Sequence, residues 1–330
     1  MAAATMYVTP AGAGDKSGGT WATAMGYAEW ETDHEGGSEA GDIYYIAGGT
    51  YTLTSAFDGS ARNGTSVAPI SIVGVNSGTS NEPPVYSDWA TEDSRPLVVC
   101  GGNLWRVGSY WKVCNLRLTS SASQGIIAST GTTIYNCKMI GDASTSYGIN
   151  IAMYGNLISC EISAGAGDAI GLYSSGNVTV IFCYIHDTFI GYQNTGSTDN
   201  LSFNVFDTCS SKGLNLVSSI SNSILNNSIY NCGVGIDATT AFLNTLINNI
   251  INDCTVGANW TTQEDSNIWI NNNLEGNGTK LVNVATALPH SDWLATAVDP
   301  AFTDDSGGNF SLASGSACLD AGLAMILGVG

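Results

Sequence analysis

A recurring interval of 23 residues limits the folds open to this chain more than any other feature of its sequence. Cysteine marks the interval first, and asparagine continues the same frame toward the C-terminus. The row consists of Cys114, Cys137, Cys160, Cys183, Asn204, Asn227 and Asn249. A large apolar residue stands two positions after each member, as Met139 follows Cys137. Short alternating runs that repeat at this length, with no helical period, predict a right-handed parallel β-helix solenoid with coils of about 23 residues.

The repeat also predicts which side chains line the interior. Successive coils of such a solenoid stack at about 4.8 Å, so equivalent residues form columns along the axis. Stacked asparagine amides hydrogen-bond along a column, which removes the cost of burying them. A second predicted column contains Cys209, Cys232 and Cys254. A third row of small–apolar pairs runs from Gly125-Ile126 through Ala169-Ile170 to Gly257-Ala258.

The nine cysteines are expected to be buried, reduced thiols. Nine is an odd number, and no two cysteines lie close together in the sequence, so neither a disulfide framework nor a paired-cysteine zinc site is indicated. The net charge of −19 and only nine Lys plus Arg disfavour nucleic acid and anionic membranes as partners, because both require clustered cations. No apolar run approaches the roughly 18 residues of a membrane-spanning helix, so membrane insertion is not expected.

Both ends of the sequence differ from the repeat. Residues 1–55 are predicted to form an N-terminal cap and the first coil strand, with a short helix that ends near Gly36-Gly37. Residues 56–280 form the predicted β-helix, and residues 281–330 form the predicted C-terminal cap. Caps are needed because a solenoid otherwise ends in an exposed core and open strand edges.

The termini carry motifs that resemble one large group of proteins. Asp299-Pro-Ala-Phe302, then Gly308-Asn-Phe-Ser-Leu312, then Gly315-Ser-Ala-Cys-Leu-Asp-Ala-Gly322 occur in order near the C-terminus. The opening, Tyr7-Val-Thr-Pro, is followed by Gly19-Thr-Trp-Ala. These motifs and the repeat are similar to the right-handed β-helix proteins of the pectate-lyase-like superfamily. The resemblance implies the fold, but the group includes polysaccharide lyases, phage tailspikes, adhesins and virion proteins, so it does not select one function.

Four residues are the candidate catalytic residues: Glu161, His186, Asp187 and Asp207. Glycoside hydrolysis uses two carboxyl groups about 5–10 Å apart, and His186 and Asp207 occupy equivalent outward positions on consecutive coils. The alternative is an ordinary solvated polar row on the outer face. Outward Arg117 and Lys138, with Glu161 on the next coil, are likewise either a small groove site or a salt-bridge row of little energetic value.

Asp304 and Asp305 are the candidate calcium ligands, with a solvated turn as the alternative. No other cofactor is expected. The three histidines, His34, His186 and His290, share no metal-ligand spacing.

The sequence favours a non-enzymatic virion structural protein, such as a phage capsid decoration or a fibre component. Its expected location is the virion surface, or alternatively the extracellular space, and its expected partners are virion proteins, its own copies or host surface glycans. The apolar residues 323–330 either dock on a neighbouring subunit or form a strand that completes the C-terminal cap. One alternative is a polysaccharide-degrading enzyme, either a lyase or a glycoside hydrolase. Another is a glycan-binding adhesin, for which Tyr184, Tyr192 and Trp269 are the candidate outward aromatic residues.

Overall fold

Parallel strand pairing dominates the structure. A computed structural model describes residues 3–91, 94–102, 104–121, 124–142, 146–164, 169–216, 219–238, 241–260, 267–282, 298–305 and 307–319. The described residues form a parallel β-solenoid in which a coil contributes one strand to each of three sheets. The fold predicted from the repeat is therefore confirmed.

The chain divides into two compact units, Met1–Thr179 and Val180–Gly330. In unit 1, sheet 1 contains β1 (Thr5–Val8), β2 (Ile43–Ala47), β5 (Ile70–Val75), β8 (Trp111–Cys114), β11 (Thr133–Tyr135) and β14 (Asn156–Ile158). Sheet 2 contains β3 (Thr50–Thr52), β6 (Leu97–Gly101), β9 (Arg117–Ser120), β12 (Lys138–Gly141) and β15 (Glu161–Ser163). Sheet 3 contains β4 (Phe57–Asp58), β7 (Trp105–Val107), β10 (Gln124–Ala128), β13 (Tyr147–Ile151) and β16 (Ile170–Ser174).

Unit 2 repeats this arrangement and adds a hairpin. After β17 (Thr179–Ile181), sheet 1 contains β20 (Asn200–Ser202), β23 (Ser223–Leu225), β26 (Thr245–Ile247) and β29 (Ile268–Ile270). Sheet 2 contains β18 (Tyr184–His186), β21 (Val205–Asp207), β24 (Ser228–Tyr230) and β27 (Ile250–Asn252). Sheet 3 contains β19 (Ile190–Asn194), β22 (Lys212–Leu216), β25 (Val234–Asp237), β28 (Val256–Asn259) and β30 (Thr279–Val282). The antiparallel hairpin consists of β31 (Phe302–Asp304) and β32 (Asn309–Leu312).

The N-terminal cap of unit 1 contains the expected helix, α1 (Tyr27–Gly36), and short 3-10 helices lie at Trp21–Thr23 and Tyr86–Asp88. Trp30 of α1 is fully buried and packs edge-on against Phe57, with ring centroids 4.7 Å apart. The helix thus covers apolar residues at the start of the solenoid. The predicted boundaries at residues 55 and 280 remain predictions, as does the cap role of the C-terminal segment.

A column of buried asparagines runs through unit 2, as the repeat predicts. The side-chain nitrogen of each donates to the side-chain oxygen of the next, at 3.0 Å from Asn204 to Asn227, 3.0 Å from Asn227 to Asn249 and 2.8 Å from Asn249 to Asn272. Each oxygen also accepts the backbone N–H of the preceding member, as Asn227 does from Asn204 at 2.9 Å. A second buried column, Asn222, Asn244 and Asn267, repeats the pattern and was not predicted. These amides are buried without loss of their hydrogen bonds.

The cysteines of the two predicted columns are reduced, and all of them except Cys114 are buried. All nine cysteines are free, and Cys137, Cys160 and Cys183 are at most 2% exposed. Cys209, Cys232 and Cys254 are buried as well. Burial raises the pKa of the Cys137 thiol well above its ordinary value, which keeps it protonated.

The assignment of Cys114 to the column was wrong. Cys114 pairs with Tyr135 at the end of a sheet 1 strand, so Leu116 takes the place equivalent to Cys137. The coil is two residues shorter here than the interval between the cysteines. The third row was also misaligned once, because Ile149 pairs with Leu172, whereas Ile170 pairs with Tyr147.

Turns in these coils use residues with a left-handed backbone. At the first corner, between the sheet 1 strand and the sheet 2 strand, the φ angle lies between 51° and 58° at Asn115, Asn136, Ser159, Phe182, Phe203, Asn226, Asn248 and Asn271. The residue after each of these points inward and occupies the buried column. Asparagine suits both positions, because it tolerates a positive φ on the surface and forms amide ladders inside.

We expect the substitution Asn227→Ala to lower the free energy of unfolding by about 3 kcal/mol, because it leaves buried groups of Asn204 and Asn249 without their partners. The adjacent outward residue provides the control, since Asn226→Gly keeps the left-handed turn and leaves the hydrogen bonds of the buried column in place. Urea unfolding of both variants measures the difference. Equal losses in the two variants would contradict the role assigned to the column.

We expect His34 to make the protein sensitive to acid. His34 is fully buried and stacks on Phe57 with ring centroids 3.8 Å apart, and burial lowers its pKa to about 3. In the unfolded chain a histidine titrates near about 6.5, so between these values only the unfolded state binds the proton, and stability falls as pH falls, by up to about 1.4 kcal/mol per pH unit. The variant His34→Leu should lack this part of the slope in urea unfolding measured from pH 7 to 4. The partly exposed His186 provides the control as His186→Gln, and a slope unchanged in His34→Leu would refute the assignment.

Candidate functional site

Two outward features of unit 2 carry the side chains of functional interest. The first we call the corner strip, defined as the five left-handed residues of the first corner in this unit. Its members are Phe182, Phe203, Asn226, Asn248 and Asn271. The backbone N–H of a member donates to the residue just before the next member, on the adjacent coil. The N–H of Phe203 donates to Leu225 O at 3.1 Å, and the N–H of Asn226 donates to Ile247 O at 3.0 Å. The strip therefore follows the coil spacing of about 4.8 Å.

The aromatic part of the corner strip is exposed. Phe182 is 60% exposed and Phe203 is 52% exposed, and their rings stack with centroids 5.4 Å apart. A bulky residue at positive φ is uncommon, and exposing its ring to water forgoes apolar burial. Both costs fall on the same two residues on neighbouring coils. Residues that cost stability in this way concentrate at functional sites, so the two phenylalanines are a candidate binding surface.

The amide part of the corner strip is a second, outer asparagine ladder. Asn248 donates to the side-chain oxygen of Asn226 at 3.1 Å, and Asn271 donates to that of Asn248 at 3.2 Å. A groove of about 260 Å³ runs beside these amides, and Ser228 and Leu312 contribute to its walls. Amides and hydroxyls both donate and accept hydrogen bonds, so the groove offers the chemistry that recognises hydroxyl groups.

The second feature, the outward cluster, contains three of the four candidate catalytic residues. His186 is the register partner of Asp207 on the next coil, and His186 Nδ1 lies 2.8 Å from the Asp187 carboxylate. Tyr184 stacks on His186 with ring centroids 4.2 Å apart, and its hydroxyl donates to Asp207 at 3.0 Å. The carboxylate of Asp187 is 63% exposed, whereas Asp207 is buried. The cluster combines one accessible and one enclosed carboxylate.

Glu161 lies elsewhere, in unit 1. Its carboxylate forms an ion pair with Lys138 at 2.6 Å, and Lys138 is in register with Arg117 on the other side. The arrangement is the salt-bridge row that the sequence analysis weighed against a groove site. Other cations are paired in the same way, including Lys212 with Asp237 at 2.6 Å. The pairing leaves these cations largely neutralised by nearby carboxylates.

The C-terminal hairpin packs on sheet 2 of unit 2. Phe310 lies 5.5 Å from Tyr230 and 6.2 Å from Tyr184, measured between ring centroids. Asp305, a candidate calcium ligand, accepts the hydroxyl of Tyr230 at 2.9 Å, and Asp304 accepts the backbone N–H of Gly307 at 3.0 Å. Burial and the Asp305 carboxylate raise the pKa of Tyr230, so its hydroxyl stays a donor. Within the described ranges no group of three or more His, Cys, Asp or Glu side chains is arranged to hold a metal ion.

Two of the three proposed sugar-stacking aromatics were assigned wrongly. Tyr192 is fully buried, and Trp269 is 2% exposed and in register with inward Leu246. Tyr184 does face outward, beneath the hairpin. The exposed phenylalanines were missed, although the sequence contains a signal, since each stands directly before a member of the Cys/Asn column. His290, residues 320–322 of the terminal motif and residues 323–330 lie outside the described residues. In the described part of the chain, no helix has the length and apolar character needed to cross a bilayer.

The sequence of residues 104–278, more than half of the chain, matches the family described as right handed beta helix region. The chain belongs to this family. Membership confirms the right-handed solenoid predicted from the repeat. No curated protein sequence matches the chain.

Several solved structures share the β-helix architecture. A pectate lyase aligns with 97% of this chain and 92% of its own, at 15% identity and a TM-score of 0.58. A mannuronic acid specific polysaccharide family 6 lyase from human gut microbiota aligns with 81% of this chain and 64% of its own, at 13% identity and a TM-score of 0.60. A lacto-N-biosidase from Eubacterium ramulus aligns with 82% of this chain and 60% of its own, at 11% identity and a TM-score of 0.55. Likeness at such low identity establishes the fold that this β-helix shares with them and no activity.

Proposed function

We propose that the protein binds neutral glycans along the corner strip of unit 2 without needing to cleave them. The observation that carries the proposal is the exposed, stacked pair Phe182 and Phe203, which lies in line with the outer amide ladder. The apolar face of a sugar ring packs on an aromatic ring, and its hydroxyl groups pair with amides. The corner strip offers both kinds of contact at the regular spacing of the coils.

The charge of the protein favours neutral over acidic glycans. The chain carries a net charge of −19, and several of its few cations form ion pairs with carboxylates, as in the Lys138–Glu161 and Lys212–Asp237 pairs. A polyanionic chain would meet repulsion without a basic groove to offset it. Lyases named for pectate and mannuronic acid are among the structural neighbours, and acidic polysaccharides are the class that this surface suits least.

A virion surface remains the predicted location, with the extracellular space as the alternative. Virion proteins or further copies of this chain remain the predicted partners. Attachment of a particle to a glycan-coated host is the role that we propose for a non-catalytic β-helix of this kind. Electron micrographs of particles from the native source, labelled with an antibody against the chain, test this location directly.

We expect the double substitution Phe182→Asn and Phe203→Asn to weaken binding to a neutral polysaccharide by at least about tenfold, since each ring contributes about 1 kcal/mol. Asparagine is chosen because it tolerates the left-handed backbone, so the fold should be kept. Affinity electrophoresis through gels containing dextran, galactomannan, alginate or polygalacturonate measures the effect and the preference for neutral chains.

The matched control is Tyr154→Asn in unit 1, which removes another exposed aromatic side chain at a positive φ. This control should bind like the unmodified protein. Retention of neutral glycans by the double variant, or binding confined to the acidic polysaccharides, would remove the proposal.

The second candidate function is glycoside hydrolysis at the outward cluster. It is favoured by one observation, the placement of Asp187 and Asp207 on adjacent coils, where the N–H of Asp187 donates to the backbone oxygen of Asp207 at 3.2 Å. Glycoside hydrolysis requires a pair of carboxyl groups near the glycosidic bond that is cleaved. Asp187 is accessible to solvent and Asp207 is enclosed, so the two carboxyl groups differ in their exposure to a substrate.

Under this second candidate, the protein releases new reducing ends from a polysaccharide, and Asp187→Asn lowers the rate by about 100-fold or more, the usual contribution of a general acid or base. The control is Asp253→Asn, which changes the carboxylate at the equivalent left-handed turn three coils further on. A reducing-end assay over a polysaccharide panel reads both variants. Release that is equally fast in Asp187→Asn would exclude this site.

A further inference from the structure

A small cavity in unit 1 is separate from both features of unit 2. The segment between β5 and β6 includes the 3-10 helix Tyr86–Asp88 and returns to the sheet where Trp89 bridges Val75 and the N–H of Ala90 donates to Gly74 O at 3.1 Å. It thereby lies over the first corner of the neighbouring coils. Between segment and corner is a cavity of about 220 Å³. Its walls include Tyr86, Trp89, Thr91, Asn115, Tyr135 and Asn136.

Asn115, one of the residues that line this cavity, carries an unsatisfied donor. Asn115 is 1% exposed, and its side-chain oxygen accepts a hydrogen bond from Asn136 at 2.8 Å. Among the described residues, its side-chain nitrogen has no hydrogen-bond partner. A buried amide without a partner is costly and uncommon, so an acceptor supplied from outside the chain would be bound favourably at this place.

A chain of hydrogen bonds fixes which atom of Asn115 is left over. The guanidinium of Arg95 donates to the side-chain oxygen of Asn136 at 2.6 Å, so the nitrogen of Asn136 is directed to Asn115. Asn115 therefore uses its oxygen within the protein and keeps its nitrogen for a ligand. The donor is held in place before any ligand arrives, which reduces the cost of ordering on binding.

Aromatic rings supply the apolar part of the cavity. Tyr86 is 81% exposed, and its ring lies 5.4 Å from that of Trp89, at an angle of 48°. Tyr135, which precedes Asn136 in the chain, also lines the cavity. Large aromatic surfaces next to a few fixed polar groups are typical of small-ligand sites.

We infer that this cavity binds a single neutral pyranose ring, with its apolar face against Tyr86 and Trp89 and a hydroxyl oxygen accepting from Asn115. The size of the cavity admits one ring rather than a chain. A pyranose matches the lining because it presents C–H groups on one face and hydroxyl groups at its edge. The site lies in unit 1 and stands or falls independently of the corner strip.

Titration with glucose, galactose and N-acetylglucosamine, followed by ligand-observed NMR, tests the inference, with glycerol as a hydroxyl-bearing probe that has no ring. We expect saturable binding of at least one sugar at millimolar concentration and none of glycerol. Asn115→Asp removes the free donor but keeps the oxygen that Asn136 uses and the tolerance for a positive φ. It should weaken binding by about fivefold or more, the effect of one lost hydrogen bond.

Trp89→Ala should weaken binding further, and Tyr154→Asn, which lies outside the cavity, should leave it unchanged. Circular dichroism checks that each variant folds, and Asn115→Asp carries the test by itself where Trp89→Ala does not fold. The Phe182→Asn and Phe203→Asn variant should still bind the free sugar, which separates this site from the corner strip. Absence of saturable binding, or equal affinity in Asn115→Asp and the unmodified protein, would overturn the inference.

Discussion

In-register stacking of the coils is the constraint on which the rest of the structure depends. Parallel pairing places each residue directly above its equivalent, so a polar residue in the interior can bond to an identical residue on the next coil. The column from Asn204 to Asn272 is bonded in this way, because Asn227 and Asn249 each donate to one neighbour and accept from the other. At the ends of the column, Asn204 accepts the backbone N–H of Cys183 and Asn272 donates to the backbone oxygen of Leu246. Burial of polar amides, which is costly one at a time, becomes acceptable when the row is complete.

The same stacking restricts the choice of inward residues more than the choice of outward residues. At the first corner the left-handed residue faces outward, and the residue after it enters the column. The inner residue is restricted by its neighbours above and below, whereas the outer residue must only tolerate its backbone. Phenylalanine at 182 and 203 does so poorly, and its presence there is what sets the surface of unit 2 apart.

The sequence predicted the solenoid, the N-terminal helix and the asparagine column, because each rests on local chemistry that repeats. It failed where coil length varies. Cys114 lies 23 residues before Cys137, but the coil between them is two residues shorter, and a constant interval cannot detect this. Trp269 was recoverable, since the position three before a column member is inward, as Leu246 is before Asn249. Tyr192 was recoverable too, since Gly191-Tyr192 continues the row of small–apolar pairs and Tyr192 is in register with Leu214. The cavity over Asn115 was not, because it depends on a loop that belongs to no repeat.

The outer ladder has a consequence for the way in which a long polymer would be held. Asn226, Asn248 and Asn271 present the same amide, in the same orientation, one coil apart. A chain molecule whose own repeat matches this interval meets an identical surface after sliding by one step. Several alignments then share one energy, and their number adds a favourable mixing entropy to association. Such a surface binds a polymer and still allows it to slide along the ladder from one register to the next.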